Sequence, residues 1–206
     1  MALNVTKLED GLKSAFRRGI ATSAAAGGVR GEVENKHTRN DVAGFIADAI
    51  VGYADDAEIF MSPGPFLFPN PAGTPPVLPD LVNMFSVLKV QTALAGKEII
   101  KQGFAASFAA GDPTLAAASA SIVAYAATLT FFQGFPLPNI ATGVTAMAVP
   151  PIFAPMVGAG LAGADMDSCA TLMALTIDAS FRSCIFNGGG LTILLGVGPV
   201  LFQPLI

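Results

Sequence analysis

The sequence predicts a mainly α fold. Several amphipathic or small-residue helices are joined by long Pro/Gly-rich ordered arms, with room for short strands near the C-terminus. Three observations carry this expectation. Apolar residues recur at intervals of three and four in several stretches. Alanine, serine and threonine dominate residues 114–132, where a helix is the economical backbone. Seven prolines fall within residues 60–80, a density that neither a helix nor a central strand tolerates.

Residues 3–20 form the first helix. Val5, Leu8, Leu12, Phe16 and Ile20 lie on one stripe, with Asn4 placed to cap it. The small and polar stretch 22–40 reads as a loop. A second helix starts near Asn40 and carries Val42, Phe45, Ile46 and Ile50 before fading at Asp55–Asp56. The arm FMSPGPFLFPNPAGTPPVLPD, 60–80, interleaves its prolines with phenylalanine and leucine, so it should pack against something rather than swing free.

From Asp80 to about Gly111 the pattern is helical again, through Leu81, Met84, Phe85, Leu88, Ile100, Phe104 and Phe108. Pro113 opens a small-residue helix over 114–132. FQGFPLPNIATG, 132–143, echoes the first arm, and 144–163 is apolar but broken by Pro150, Pro151 and Pro155. The last helix spans about Ala164 to Ile185, with Asp165 and Asp167 at its positive end and Asn187 with Gly188–Gly190 ending it. Extended backbone is expected over 191–206. The pentapeptides Gly64–Phe68 and Gly198–Phe202 resemble each other. A helix followed by a Pro-bearing apolar arm would thus occur two or three times.

Charge divides the chain unevenly. Residues 1–112 form a charged, helical half with the Pro-rich arm at 60–80. Residues 113–206 hold only four charges, Asp165, Asp167, Asp178 and Arg182. Four charges can hardly wet the outside of so long a segment, so it is read as an interface-forming half; the length fits one continuous domain or two small ones. The net charge of −4 and the absence of a basic run argue against nucleic acid as a partner.

Catalytic chemistry finds little support. His37 is the sole histidine and sits in a polar stretch. No GxSxG or Walker pattern occurs. Asp55, Asp56 and Glu58 read as a solvated helix end, Asp178 and Arg182 as a local i,i+4 pair, and Cys169 and Cys184 as free thiols. No catalytic residue, cofactor or metal is expected. The N-terminus has no apolar core of a signal peptide, so no secretion by that route is expected.

The arm 61–79, the poorly charged 113–164 and the tail 195–206 together resemble the small virion structural proteins of tailed bacteriophages. That resemblance implies a non-enzymatic structural subunit in a head, neck, tail or baseplate. Its partners would be copies of itself and other structural subunits, in a virion assembled in the host cytoplasm. The residues expected at contacts are Phe66, Phe68, Phe135, Ile152, Phe153, Leu201, Phe202, Leu205 and Ile206, each of which would otherwise belong to the chain's own core. The alternative is a small integral membrane protein, a channel or transporter component. Residues 114–132 have the length of a span, but Ala, Ser and Thr fill them and no flanking Lys/Arg or Trp marks an interface. Deleting 198–206 is expected to abolish assembly while the isolated chain stays folded. Sedimentation and circular dichroism of the truncated chain check this, and normal incorporation of the truncated subunit would refute it.

Overall fold

A computed structural model describes residues 3–27, 38–61, 86–133, 139–147, 152–190 and 200–201. The described residues are mostly helical, as the sequence periodicity predicts. Helix α1 spans Val5–Gly27 and α2 spans Arg39–Ala54, followed by strands β1, Glu58–Met61, and β2, Ser86–Val90. A single 3-10 turn leads into α3, Lys97–Ala110, then α4, Ala116–Thr128, and strands β3, Thr130–Gln133, and β4, Asn139–Ala146. Helices α5, Ala154–Leu161, and α6, Met166–Arg182, precede β5, Ile185–Gly190, and the two-residue β6, Val200–Leu201.

The six strands form one antiparallel meander in chain order. This sheet is the main departure from the sequence expectation. Residues 86–90 pair with β1 and β3 instead of continuing a helix. Thr130–Gln133 leave the predicted helix for the sheet, where Phe131 is buried. Residues 139–146 alternate Ile140, Thr142 and Val144, a period of two that suits a strand. Gly188–Gly190 do not terminate α6, which stops at Arg182; they are the pairing residues of β5. Helix α1 runs on through the alanines of 22–27 because nothing there opposes helix.

Chain order shows a helix pair followed by a hairpin three times: α1-α2-β1-β2, α3-α4-β3-β4, α5-α6-β5-β6. The second helices repeat in detail. Ile46, Ala47, Ile50, Tyr53, Ala54 and Ala57 are buried. At the same spacing, so are Ala118, Ser119, Ile122, Tyr125, Ala126 and Leu129, and again Met173, Ala174, Ile177, Ser180, Phe181 and Cys184. In each unit the first strand begins on the next residue, at Glu58, Thr130 and Ile185. The first two helix pairs also cross alike. A Cβ on Gly11 would lie 2.8 Å from the Ala49 Cβ, and one on Gly103 would lie 2.2 Å from the Ser121 Oγ and 2.8 Å from the Ala117 carbonyl.

One core draws on both halves of the chain. At its centre the Tyr53 ring meets Phe181 edge-on at 5.7 Å, and Tyr125 meets Phe181 at 6.3 Å. The Tyr53 hydroxyl donates to Asp178 Oδ1 at 2.6 Å, and Arg182 Nε donates to Asp178 Oδ2 at 2.7 Å. The sequence-predicted Asp178–Arg182 pair thus also ties α2 to α6. The Tyr125 hydroxyl donates to the Ala93 carbonyl at 2.9 Å. Burial first, and then the Asp178 carboxylate, push the Tyr53 hydroxyl far above its ordinary pKa.

A methyl at Gly103 has to displace backbone as well as Ser121, so Gly103→Ala is expected to destabilise by about 1–3 kcal/mol despite alanine's better helix propensity. Gly52 has nothing within 4 Å of its Cβ position, and Gly52→Ala is expected to be neutral or mildly stabilising. Denaturant titration of the two variants checks the contrast. Equal midpoints would refute the close crossing.

Candidate assembly surface

Helix α5 begins just after the buried pair Ile152–Phe153, with Pro155 in its first turn. Proline suits that position, where no N–H is needed inside the helix. Phe153 packs against Phe104 at 5.6 Å between ring centroids and anchors the segment. Beyond that anchor Met156 and Val157 rest half-buried against the core, none of Ala154–Leu161 is fully buried, and Leu161 is 80% exposed. Residues 154–164 carry no charge. Such a surface normally belongs to a domain interior or an interface.

Asp165 then turns the chain into α6. Its Oδ1 accepts from the Ser168 backbone N–H at 2.7 Å and its Oδ2 from the Ser168 hydroxyl at 3.1 Å, which holds the carboxyl below its ordinary pKa. Along α6, Leu175 is 50% exposed. One and two turns before Leu175, on the same flank, α6 lies against α1. Arg17 pairs with Asp167 at 2.7 Å, and Thr171 donates to Glu9 at 2.8 Å while Lys13 pairs with the same carboxylate. An open cleft of about 690 Å³ lies beside this seam, lined by Asp10, Lys13, Ser14, Arg17, Arg18 and Asp167. The α6 flank toward α1 is therefore ionic, and α5 presents the uncharged surface.

The residues expected at contacts fall unevenly. Ile152 and Phe153 lie in the chain's own core, so their surface is taken up by intramolecular neighbours. Leu201 is placed by its backbone in β6, against Asn187 of β5. Phe66, Phe68, Phe135, Phe202, Leu205 and Ile206 lie outside the described residues, as does His37. Asp56 pairs with Lys7 at 2.6 Å, and Glu58 stands opposite Lys89 across β1 and β2. Among the described residues no group of three or more His, Cys, Asp or Glu side chains is placed to hold a metal. Cys169 is half-buried and Cys184 buried; both are free, and burial pushes the Cys184 thiol up to about 12.

The exposed α5 surface was signalled in the sequence only by missing charge, because the prolines obscured the helix. Among the described residues no helix is long and apolar enough to cross a membrane. No family model, curated protein or solved structure matches the chain.

Acid should loosen the α1–α6 seam. The Lys13 ammonium first, and then the Thr171 hydroxyl, hold Glu9 below its ordinary 4.5, while the Ser168 N–H holds Asp165 below 3.8. Groups with depressed folded pKa values stabilise above their unfolded values and lose that contribution as pH falls through the folded ones. The melting temperature is expected to stay level from about pH 8 to 5 and to fall below about pH 4. A melt unchanged at about pH 3 would show that these carboxylates contribute nothing.

Proposed function

We propose that this chain is a non-enzymatic structural subunit of a large homo- or hetero-oligomeric assembly. The setting that its sequence resembles most is the particle of a tailed phage, in a head, neck, tail or baseplate. The observation that carries the proposal is α5: a charge-free helix with no buried residue, ending in a leucine 80% exposed. A further exposed leucine, Leu175 on α6, adds to it. Burying apolar surface yields roughly 25 cal/mol per Å², so a neighbouring subunit covering these helices would gain substantially from contact.

The sequence supports the same reading. It supplies hydrophobic and small residues where a solvated exterior would need charge. Its proline-rich segments have a restricted backbone, which reduces the entropy lost when a segment docks.

The native mass of the purified full chain is expected to exceed the 21.0 kDa of one copy, alone or with its particle partners. Leu161→Asp combined with Leu175→Asp should reduce assembly at least about tenfold while leaving the melting temperature within a few degrees, since both side chains lie at the surface. A wild-type chain that remains monomeric at high concentration without detergent, and binds no particle component, would overturn the proposal.

A further inference from the structure

The three units meet through helices, and two of their three joints are made in the same way. The first helix of one unit lies on the second helix of another. On α2 the occupant is α3: a Cβ on Gly44 would meet Lys101 Cδ at 4.0 Å, Asp48 pairs with Lys97, and Arg39 donates to the Phe108 carbonyl. On α6 the occupant is α1, with Thr171 against Glu9 and Asp167 against Arg17. Superposing the buried pattern of the second helices makes Thr171 the counterpart of Gly44 and Leu175 the counterpart of Asp48. Helices α1 and α3 also match: Leu8, Gly11, Leu12, Ala15 and Phe16 correspond to Ile100, Gly103, Phe104, Ser107 and Phe108. In that alignment Glu9 corresponds to Lys101. The contact of Gly44 with Lys101 and that of Thr171 with Glu9 are therefore one joint made twice.

On α4 the counterparts of Gly44 and Asp48 are Ala116 and Ala120. Both are exposed, and so is Ala117 between them. The expected occupant is α5, but it is eight residues long where α3 has fourteen, and it packs along α6 without a buried residue of its own. The chain thus carries a seat of uncharged alanines and, separately, an uncharged helix exposing Leu161.

Resting on the assembly role proposed above, we infer that the third joint is made between chains: α5 of one copy occupies the Ala116–Ala120 face of α4 on the next. The partner is a second copy of this chain. No side chain of Ala116–Ala120 or of α5 is charged, the Asp112 carboxylate at the head of the seat is already held by the Thr114 and Ala116 N–H groups, and the alanines allow close approach of a leucine-bearing helix. Both sides of the joint exist on every copy, so the contact can propagate or close a ring.

The test uses the full chain. Ala120→Glu places a charge in the seat at an exposed position and should cut self-assembly at least about tenfold with an unchanged melting temperature. In a Cys169→Ser background, isotope-labelled Ala120→Cys chain mixed with unlabelled Leu161→Cys chain should form a disulfide joining the two species, identified by mass spectrometry. An Ala120→Glu chain that assembles like the wild type, or an assembled mixture in which no disulfide joins the labelled to the unlabelled chain, overturns the inference while leaving the assembly role standing. A wild-type chain that does not self-associate but binds a particle component also overturns it. One that does neither overturns the assembly role itself.

Discussion

The phenol of Tyr53, buried at the end of α2 and held by Asp178 of α6, fixes how the three second helices meet. Phe181 contacts Tyr53 on one side and Tyr125 of α4 on the other, so α2, α4 and α6 converge on a small aromatic cluster. Both buried tyrosine hydroxyls have an acceptor, Asp178 Oδ1 for Tyr53 and the Ala93 carbonyl for Tyr125. Leaving either unpaired would cost about 1–3 kcal/mol. Because each of these helices passes into a strand within a few residues of the cluster, its geometry also sets where β1, β3 and β5 start. The meander is the downstream result of where three aromatic side chains are placed.

Small residues make that convergence feasible. Gly11 and Gly103 let the paired helices cross at a separation no side chain would permit, and Gly96 admits the edge of the Tyr125 ring. Alanine and serine occupy the core where bulk would push the helices apart. The same composition explains the shortage of charge: a chain rich in Ala, Gly and Ser packs tightly but has little with which to clothe its outside. Where the helices cover one another the shortage is harmless. At α5 and the outer face of α4 it is exposed.

Helices were legible in the sequence wherever an apolar stripe met a cap. Residues 5–20, 39–54 and 166–182 follow their stripes and Asn4 caps as expected, but Thr38 rather than Asn40 caps the second helix, and Asp165, expected within the first turn, caps the last. Strands were hidden for two reasons. Val87, Leu88 and Val90 fit a helical spacing as well as an extended one, and only pairing with β1 and β3 decides between them. The triple glycine of β5 carries no strand propensity and is held by pairing with β4, Gly188 with β6 as well. The repeated helix-and-arm pattern was visible only faintly, through a pentapeptide. The repetition that the fold displays lies in which positions are buried, a signal spread over three helices with few identical residues. The surface at α5 was foreshadowed by absent charge, whereas Ile152 and Phe153 looked like contact residues because a hydrophobic pair reads the same whether it faces its own core or a neighbour.

Helix α1 sits on α6, so an early helix rests on one made much later. During synthesis the flank of α1 that bears Glu9 and Arg17 stays uncovered until Arg182 has left the ribosome, an interval of roughly 10–30 s at ordinary elongation rates. The first two units can pair their helices as they emerge. Final closure must wait for the third, which leaves that flank of α1 open to sticking or proteolysis while the two intervening units are made.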